Sequence, residues 1–541
     1  MKVRTDIIRH AKELHTWVGI ICGIVLFICF FAGGLSMFQH DLSRWGTPPQ
    51  QQLASIAPSQ YNQLVEQVQK EYPETLKGFQ LNFDSKEFHY VPMQWQAIEE
   101  KGRDEHGFDT EQHSMLATFK PDGSLQVEQE NLSKLGWMIE QLHETAGIPG
   151  TIGHHTFGMY LMGVVCVLYF LALMTGLIVL LPTLVKDYFA VRQGKNKKRF
   201  WLDAHNVVGI TSLPFHIMIS VTVIAFAFHD VFYDAIGKLI SPDKPLFERP
   251  PAVKVVEPLE PLEPFDVEKI LFKIKQQAPE YQVSSIGFTH LDQPSKASAR
   301  VNLYSADQML RGDQFDVVVF NPYLNNPFNT SNLNTHATAM DQVIRSMFSL
   351  HFGNYGGDLT RWLYLVLGMG GAFLFYSGNI LWIESRIKRQ KNPNLPVPNQ
   401  RKDVWFIASL TIGACLGCIL AITASMLVGR WAYVINAELV SLNHWFMYSY
   451  YAVFLSCLIY SFIKGAGKVL PQLLISIAIL LCLLPLTSFI ALLLPNIGLW
   501  SSHSSLWWID IMAVVLAILF LRFYIQAKHR QKNIEVGSIW A

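Results

Sequence analysis

Eight stretches of this chain are apolar over about 20 residues or more, the length a helix needs to cross a hydrocarbon core of about 30 Å. They fall at 15–38, 155–182, 205–232, 361–384, 404–429, 444–463, 469–494 and 505–527. Inside lipid every backbone N–H and C=O must find a partner within the protein, so such a chain folds as a bundle of spanning helices. Half of its residues are hydrophobic and only 16% are charged, against roughly 25% charged in soluble domains. The net charge of +1 gives no reason to expect a nucleic-acid partner.

The direction of threading follows from where the basic residues fall. Lys2, Arg4, Arg9 and Lys12 precede the first segment, and Lys186, Arg192, Lys195, Lys197, Lys198 and Arg199 fill the link 183–204. Arg386, Lys388, Arg389, Lys391, Arg401 and Lys402 fill the link 385–403. Lys464 and Lys468, then Lys528, Arg530 and Lys532, continue the same side. Of the short links opposite, 430–443 has only Arg430 and 495–504 has neither Lys nor Arg. The positive-inside rule therefore puts both termini in the cytoplasm, as an even number of crossings requires. The first segment is followed by Gly33-Gly34-Leu35-Ser36 rather than an A-x-A site, so it reads as a retained helix and not a cleaved leader. All seven cysteines lie inside apolar segments, and the two long outer loops carry none, so no disulfide framework is expected there. Cys415 and Cys418 read as small packing residues.

The order of features repeats. Helix, long outer loop, helix and basic link occur twice, with outer loops at 39–150 and 233–350. His15-Thr16-Trp17-Val18-Gly19-Ile20 and His205-Asn206-Val207-Val208-Gly209-Ile210 share H-x-x-V-G-I, and His40-Asp41 matches His229-Asp230. Each loop then carries a helical stretch closing on Pro-Glu (64–74 and 270–280) and a strand-like run (78–81 and 283–288). Each loop ends on Leu-His before glycines, at Leu142-His143 and Leu350-His351, and the next helix carries Thr175-Gly176 or Ser377-Gly378. The expected fold is a polytopic α-helical membrane protein of about eight transmembrane helices. The first four form two parallel repeats about an axis along the membrane normal, with an α+β outer loop in each repeat. The expected division is helix 1 (1–38), a first outer domain (39–150), helices 2 and 3 (151–232), a second outer domain (233–350), helix 4 (351–390) and an appended four-helix module (404–527). The module's polar spots are Asn443-His444 and His503.

The repeat pairs His15 with His205 at the inner helix mouths and His143 with His351 at the outer side. Two facing imidazoles are what a six-coordinate b-type haem needs. One haem cannot bridge the membrane core, but one near each face can pass electrons across. Gly19 and Gly209 lie four residues after His15 and His205, on the same helix face, where a flat porphyrin could approach the backbone. Gly23, Gly33, Gly34, Gly368, Gly370, Gly371 and Gly378 are further close-approach positions, although glycine-rich faces also serve ordinary helix packing. His216 lies eleven residues beyond His205, about 16 Å deeper on a straight helix, with Pro214 expected to kink the helix beside it. It is read as an alternative axial ligand or a proton-relay group. His154 and His155 compete with His143 as outer ligands. His40, His89, His106, His113, His229, His290 and His336 are read as solvated loop or helix-end residues. Without the pairing, each of these histidines is an ordinary interfacial residue.

No Walker A, dinucleotide fingerprint or HExxH sequence occurs. The inner links are too short to house a nucleotide-binding domain, so an enzyme of this design takes electrons from a membrane quinol or a separate cytoplasmic reductase. The H-x-x-V-G mouths, the Leu-His before a Gly-rich turn, Leu213-Pro214-Phe215-His216 and Ser377-Gly378-Asn379-Ile380-Leu381-Trp382 resemble the PepSY-associated transmembrane-helix family over about residues 8–390. The outer helix–strand units look like its PepSY-type modules. Characterised members are haem-containing inner-membrane reductases of ferric siderophores. The resemblance thus implies a bacterial inner-membrane di-haem b reductase with His15, His205, His143 and His351 as iron ligands, His216 in reserve, and a periplasmic ferric siderophore as substrate. The appended helices depart from shorter members. The alternatives are a siderophore or metal permease using intramembrane histidines, and a non-enzymatic PepSY-type regulator.

Overall fold

The computed structural model describes residues 3–48, 53–83, 91–96, 114–130, 133–152, 155–188, 192, 197–240, 265–324, 328–330, 333–334, 338–388, 390, 396–435, 442–501, 504–532 and 537–540. His89, His106, His113, His154, His336 and His503 lie outside these residues. The chain forms two units. A helical bundle takes 1–49, 133–224 and 363–541, and a sheet unit takes 50–132 and 225–362.

The bundle opens with α1 (Thr5–Ser36) and the short α2 (Gln39–Gly46); α3 (Tyr61–Glu71) and strands β1 (Gly78–Asn82), β2 (Met93–Gln96), β3 (Ser114–Phe119) and β4 (Leu125–Gln129) belong to the sheet unit. The chain returns through α4 (Leu135–Thr145), the small hairpin β5 (Thr151–Ile152) and β6 (His155–Thr156), α5 (Phe157–Leu180) and α6 (Leu184–Tyr188). Next come α7 (Lys197–Thr211) and α8 (Leu213–Ile240), then α9 (Val267–Gln277), β7 (Gln282–Thr289), β8 (Ser298–Tyr304), β9 (Asp316–Phe320) and α10 (Ala339–Phe352). Finally α11 (Gly357–Arg386), α12 (Lys402–Thr411), α13 (Gly417–Ile435), α14 (Leu442–Lys464), α15 (Ala466–Leu493) and α16 (Trp507–Gln531) complete the bundle.

Among the described residues, seven helices are long and apolar enough to span a membrane, and a bent pair, Lys198–Thr211 with Leu213–His229, makes up to an eighth. The protein is a multi-pass membrane protein. The third span is not the straight rod from which the depth of His216 was reckoned. It turns by 64° between α7 and α8, at Ser212, two residues before Pro214, whose ring removes a backbone donor and crowds the preceding turn. His216 therefore does not simply continue the face of His205. A π-turn at Ile412–Leu416 joins α12 to α13 within one span. Just before it, buried Asn379 of α11 donates to Thr411 Oγ1 at 3.2 Å, tying the appended module to the fourth span. Trp540 Nε1 donates to Glu384 Oε1 at 2.7 Å, a second tie from the tail to α11.

The two outer loops do not make two separate sheets. Their strands form one seven-stranded antiparallel sheet in the order β4-β3-β2-β1-β7-β8-β9. The join is β1 against β7, in register from Gly78↔Thr289 to Asn82↔Ser285. Either half alone would leave a row of unpaired backbone groups on its first strand, and pairing the two edges removes both rows. The expected boundaries shift accordingly: residues 133–150, with α4, belong to the bundle. The amphipathic α3 and α9 bury Leu64, Val65, Val68, Val267, Ile270 and Ile274 in the core of the sheet unit. The helices also meet through polar groups: Asn62 Nδ2 donates to Asp266 Oδ1 at 2.8 Å, and Val267 N–H donates to Asn62 Oδ1 at 2.7 Å.

Candidate functional site: histidines held by backbone carbonyls

His15 lies on α1 and faces α5. Its Nδ1 is 2.8 Å from the Ala172 carbonyl. A carbonyl can only accept, so Nδ1 carries the proton and Nε2 keeps its lone pair. The Thr175 hydroxyl donates to the same carbonyl at 3.0 Å. One residue on, Gly176 makes room for the ring: a Cβ there would stand 2.9 Å from His15 Cε1.

The second half holds His205 of α7 in the matching way. Its Nδ1 is 2.9 Å from Ser377 Oγ, and that hydroxyl donates to Leu374 O at 3.1 Å. With its own hydrogen so used, Ser377 Oγ accepts from the imidazole, which again leaves Nε2 with the lone pair. Gly378 stands where Gly176 stands, 3.6 Å from the His205 ring by the same measure. A stacked pair, Trp201 with Phe373 at 5.9 Å, holds α7 against α11.

His143 repeats the arrangement at the other end of α1. It sits in the last turn of α4, with Nδ1 3.0 Å from the Cys29 carbonyl. Gly33 receives the ring, since a Cβ there would lie 2.5 Å from Nδ1. Burial pushes the His143 pKa below the usual imidazole value, and the bond to Cys29 partly counters this. Ala172, Leu374 and Cys29 each stand four residues before the glycine that faces the ring. One turn of helix thus supplies both an acceptor and the space for an imidazole. Cys29 lies fourteen residues beyond His15 on α1, about 21 Å along a straight helix, so the two ring sites lie at different levels.

His216 differs. It is fully buried among the rings of Phe30, Tyr169 and Phe215, 5.4, 6.1 and 5.4 Å away between centroids. A Cβ at Gly371 would meet the Phe30 ring first and then His216 Cε1 at 3.0 Å. Neither ring nitrogen has a hydrogen-bond partner among the described residues, nor does the Tyr169 hydroxyl. Buried polar groups left in that state are costly, so His216 and Tyr169 mark where a ligand or proton would be received.

His351 belongs to the sheet unit, in the last turn of α10, where its ring meets Phe226 at 5.2 Å and Phe352 at 5.0 Å. The helix ends on Gly353 in the left-handed region, φ 61°. His229 also lies in that unit, its Nδ1 2.6 Å from the carbonyl of Phe226 on its own helix. His155 falls in β6, and its side chain is outside the described residues.

The glycines divide in a way the spacing alone did not show. Gly19 has nothing within 4 Å of an added Cβ, and Gly209 has only Leu374 Cδ2 at 3.7 Å. Gly33, Gly176 and Gly378, on the facing helices, are the ones that receive imidazole rings. Gly176 was visible in the sequence only through the recurring Thr/Ser-Gly pair. Among the described residues no three His, Cys, Asp or Glu side chains converge as a metal cluster.

The sequence profile of the PepSY-associated TM region matches residues 12–385. The chain belongs to the PepSY-associated transmembrane family. The match spans more than half of the chain and takes in the His15, His143, His205, His216 and His351 positions, while α12–α16 lie beyond it. No functionally curated protein matches the chain.

Proposed function

We propose that the protein is an inner-membrane di-haem b reductase that moves electrons across the membrane to a ferric siderophore. The observation that carries this reading is the recurring histidine device: a ring whose Nδ1–H is taken by a backbone carbonyl or its bonded hydroxyl, with a glycine beneath it. Fixing the tautomer in this way leaves Nε2 as the ligating atom, the usual role of an outer-shell acceptor around a metal-bound histidine. The donor set fits haem, whose iron takes at most two ligands from the protein. The open space at Gly19, beside His15, suits a flat macrocycle.

In this reading His15 and His205 hold one haem toward the basic links, and His143 is a ligand of the other. His216 is the reserve ligand or proton group. Bound haem b supplies one-electron iron chemistry at potentials set by its ligands and surroundings. The residues do the rest: they orient the imidazoles, exclude water from the helix interior and keep the two levels apart. The basic links face the cytoplasm, where a quinol or a separate reductase donates. The substrate, a chelated Fe(III), is reduced on the periplasmic side. Fe(II) is the less charged ion and binds hard oxygen donors less tightly, so the chelate releases it.

The test is a reduced-minus-oxidised spectrum of the purified protein, which should show a b-type signature. His205→Ala should lower haem content by about half, one of two sites being lost. A colourless protein with full activity would sink the reading. It would favour the permease alternative, for which the unpartnered His216 and Tyr169 are the relevant observation.

A further inference from the structure

Beside the inner histidines lies a groove of about 750 Å³ lined by Trp17, Trp382, Trp405, Phe406, Lys402 and Asp403, among others. We propose that this groove binds the ring of a membrane quinol and is where the protein takes up its electrons. The inference rests on the reductase reading and names its donor.

Four observations converge on it. The volume lies within the range of about 300–1,000 Å³ usual for small-molecule sites. Its walls are flat aromatic rings, which suit a flat ring between them, and Trp17 meets Trp382 edge-on at 6.5 Å between centroids. Trp382 is only 5% exposed, and its indole N–H has no acceptor among the described residues. A quinone carbonyl or quinol oxygen supplies the acceptor that this N–H lacks. Both oxygens of Asp403 at the rim are held by Arg401, at 3.0 and 2.6 Å, which fixes the polar edge of the groove.

Position ties the groove to the histidines. Trp382 is one turn beyond Gly378, the residue facing the His205 ring, a rise of about 6 Å. Trp17 is two residues from His15. Exposed Trp405 and Phe406 continue the apolar wall outward, giving a lipid-soluble tail a path from the bilayer. A phospholipid head group fits less well: Arg401 is already paired, and Asp403 repels a phosphate next to Lys402.

The reaction balances as QH2 + 2 Fe(III) → Q + 2 Fe(II) + 2 H⁺. Both quinol O–H bonds break, and the two protons pass to water on the side of the basic links. The two electrons leave one at a time toward the His15/His205 end and finish on two ferric ions of the chelated substrate.

The experiment uses the full-length protein in lipid nanodiscs with a photoreactive azido-ubiquinone, and the labelled peptides are mapped by mass spectrometry. Label should fall on peptides carrying Trp17, Trp382 or Trp405 and be displaced by decylubiquinone but not by phosphatidylglycerol. Trp382→Phe keeps the ring and removes the N–H. It should weaken decylubiquinone binding by about ten-fold, the value of one hydrogen bond, with an unchanged melting temperature. Label elsewhere, equal displacement by phosphatidylglycerol, or unaltered affinity in Trp382→Phe would overturn the site. Labelling of the groove in a haem-free protein would support the site while removing the reductase reading. A haem-loaded protein reduced by dithionite but unlabelled in the groove would do the reverse.

Discussion

Gly176 lies against the imidazole of His15 so closely that a Cβ built on it would stand 2.9 Å from Cε1 and 3.0 Å from Nδ1. Real Cβ atoms do not approach that closely, so Gly176→Ala must push the ring off the Ala172 carbonyl. On the proposed di-haem reading, this variant should fold yet lose about half of the b-type absorbance, one of two sites. Gly19→Ala, which meets no atom within 4 Å, should melt as the parent protein does. An unchanged spectrum in Gly176→Ala would show that the His15 orientation is unimportant.

His216 is buried with neither ring nitrogen partnered among the described residues, so its polarity adds nothing there to the fold. His216→Phe should leave the melting temperature unchanged or raise it, because replacing an unsatisfied polar group by an apolar one of similar shape is neutral or stabilising. On the proposed reductase reading, the same variant should lower ferric-chelate reduction. A large fall in melting temperature would instead mark His216 as a structural residue.

Arg430 holds the appended module together at its loop-side end. It is 1% exposed and donates to Ser488 Oγ at 2.7 Å and Trp500 O at 2.8 Å. Its guanidinium also stacks 4.3 Å from the Trp45 ring and 5.0 Å from the Trp500 ring. Ser488 in turn donates to Asp510 at 3.1 Å. Arg430→Ala should cost about 3–5 kcal/mol, the usual loss on breaking a buried charge network. Lysine should not rescue it, lacking the planar fork that serves two acceptors. Thermal unfolding of the three proteins decides this.

Asp266 caps α9 by accepting from the Glu268 and Lys269 N–H groups. The hydrogen bond from Asn62, then those capping bonds, hold its carboxyl below the usual range against the opposing effect of burial. A depressed folded-state pKa gives stability that is present above the unfolded value, 3.8, and lost as pH falls through the folded one. Asp266→Ala should therefore cost about 1 kcal/mol near neutrality and progressively less in acid. Hydrogen exchange of the α9 amides at pH 7 and pH 3 measures the difference, and equal costs at both would refute the cap.

The spanning segments were legible because crossing lipid imposes a length and an apolarity that a single chain displays openly. Predicted 361–384 and 469–494 correspond to observed Gly357–Arg386 and Ala466–Leu493. The helix–strand order of each loop was legible too, since α3, β1, α9 and β7 follow their own periodicities. The histidines stood out because polar residues near an apolar core are few. Their acceptors did not: a carbonyl has no sequence identity, and nothing in the chain marks Ala172, Leu374 or Cys29.

By itself, then, the sequence determined the spans, the helix–strand order of the loops, and the histidines at the mouths of the first and third spans. Those are properties of local composition and order. Tertiary structure alone decided that the outer loops share one sheet, because edge strands choose partners in space. It also decided which glycines receive imidazoles, as the space beneath a ring belongs to the opposite helix. And it set the 64° break before His216, which a proline suggests but only the packing around Ser212 fixes.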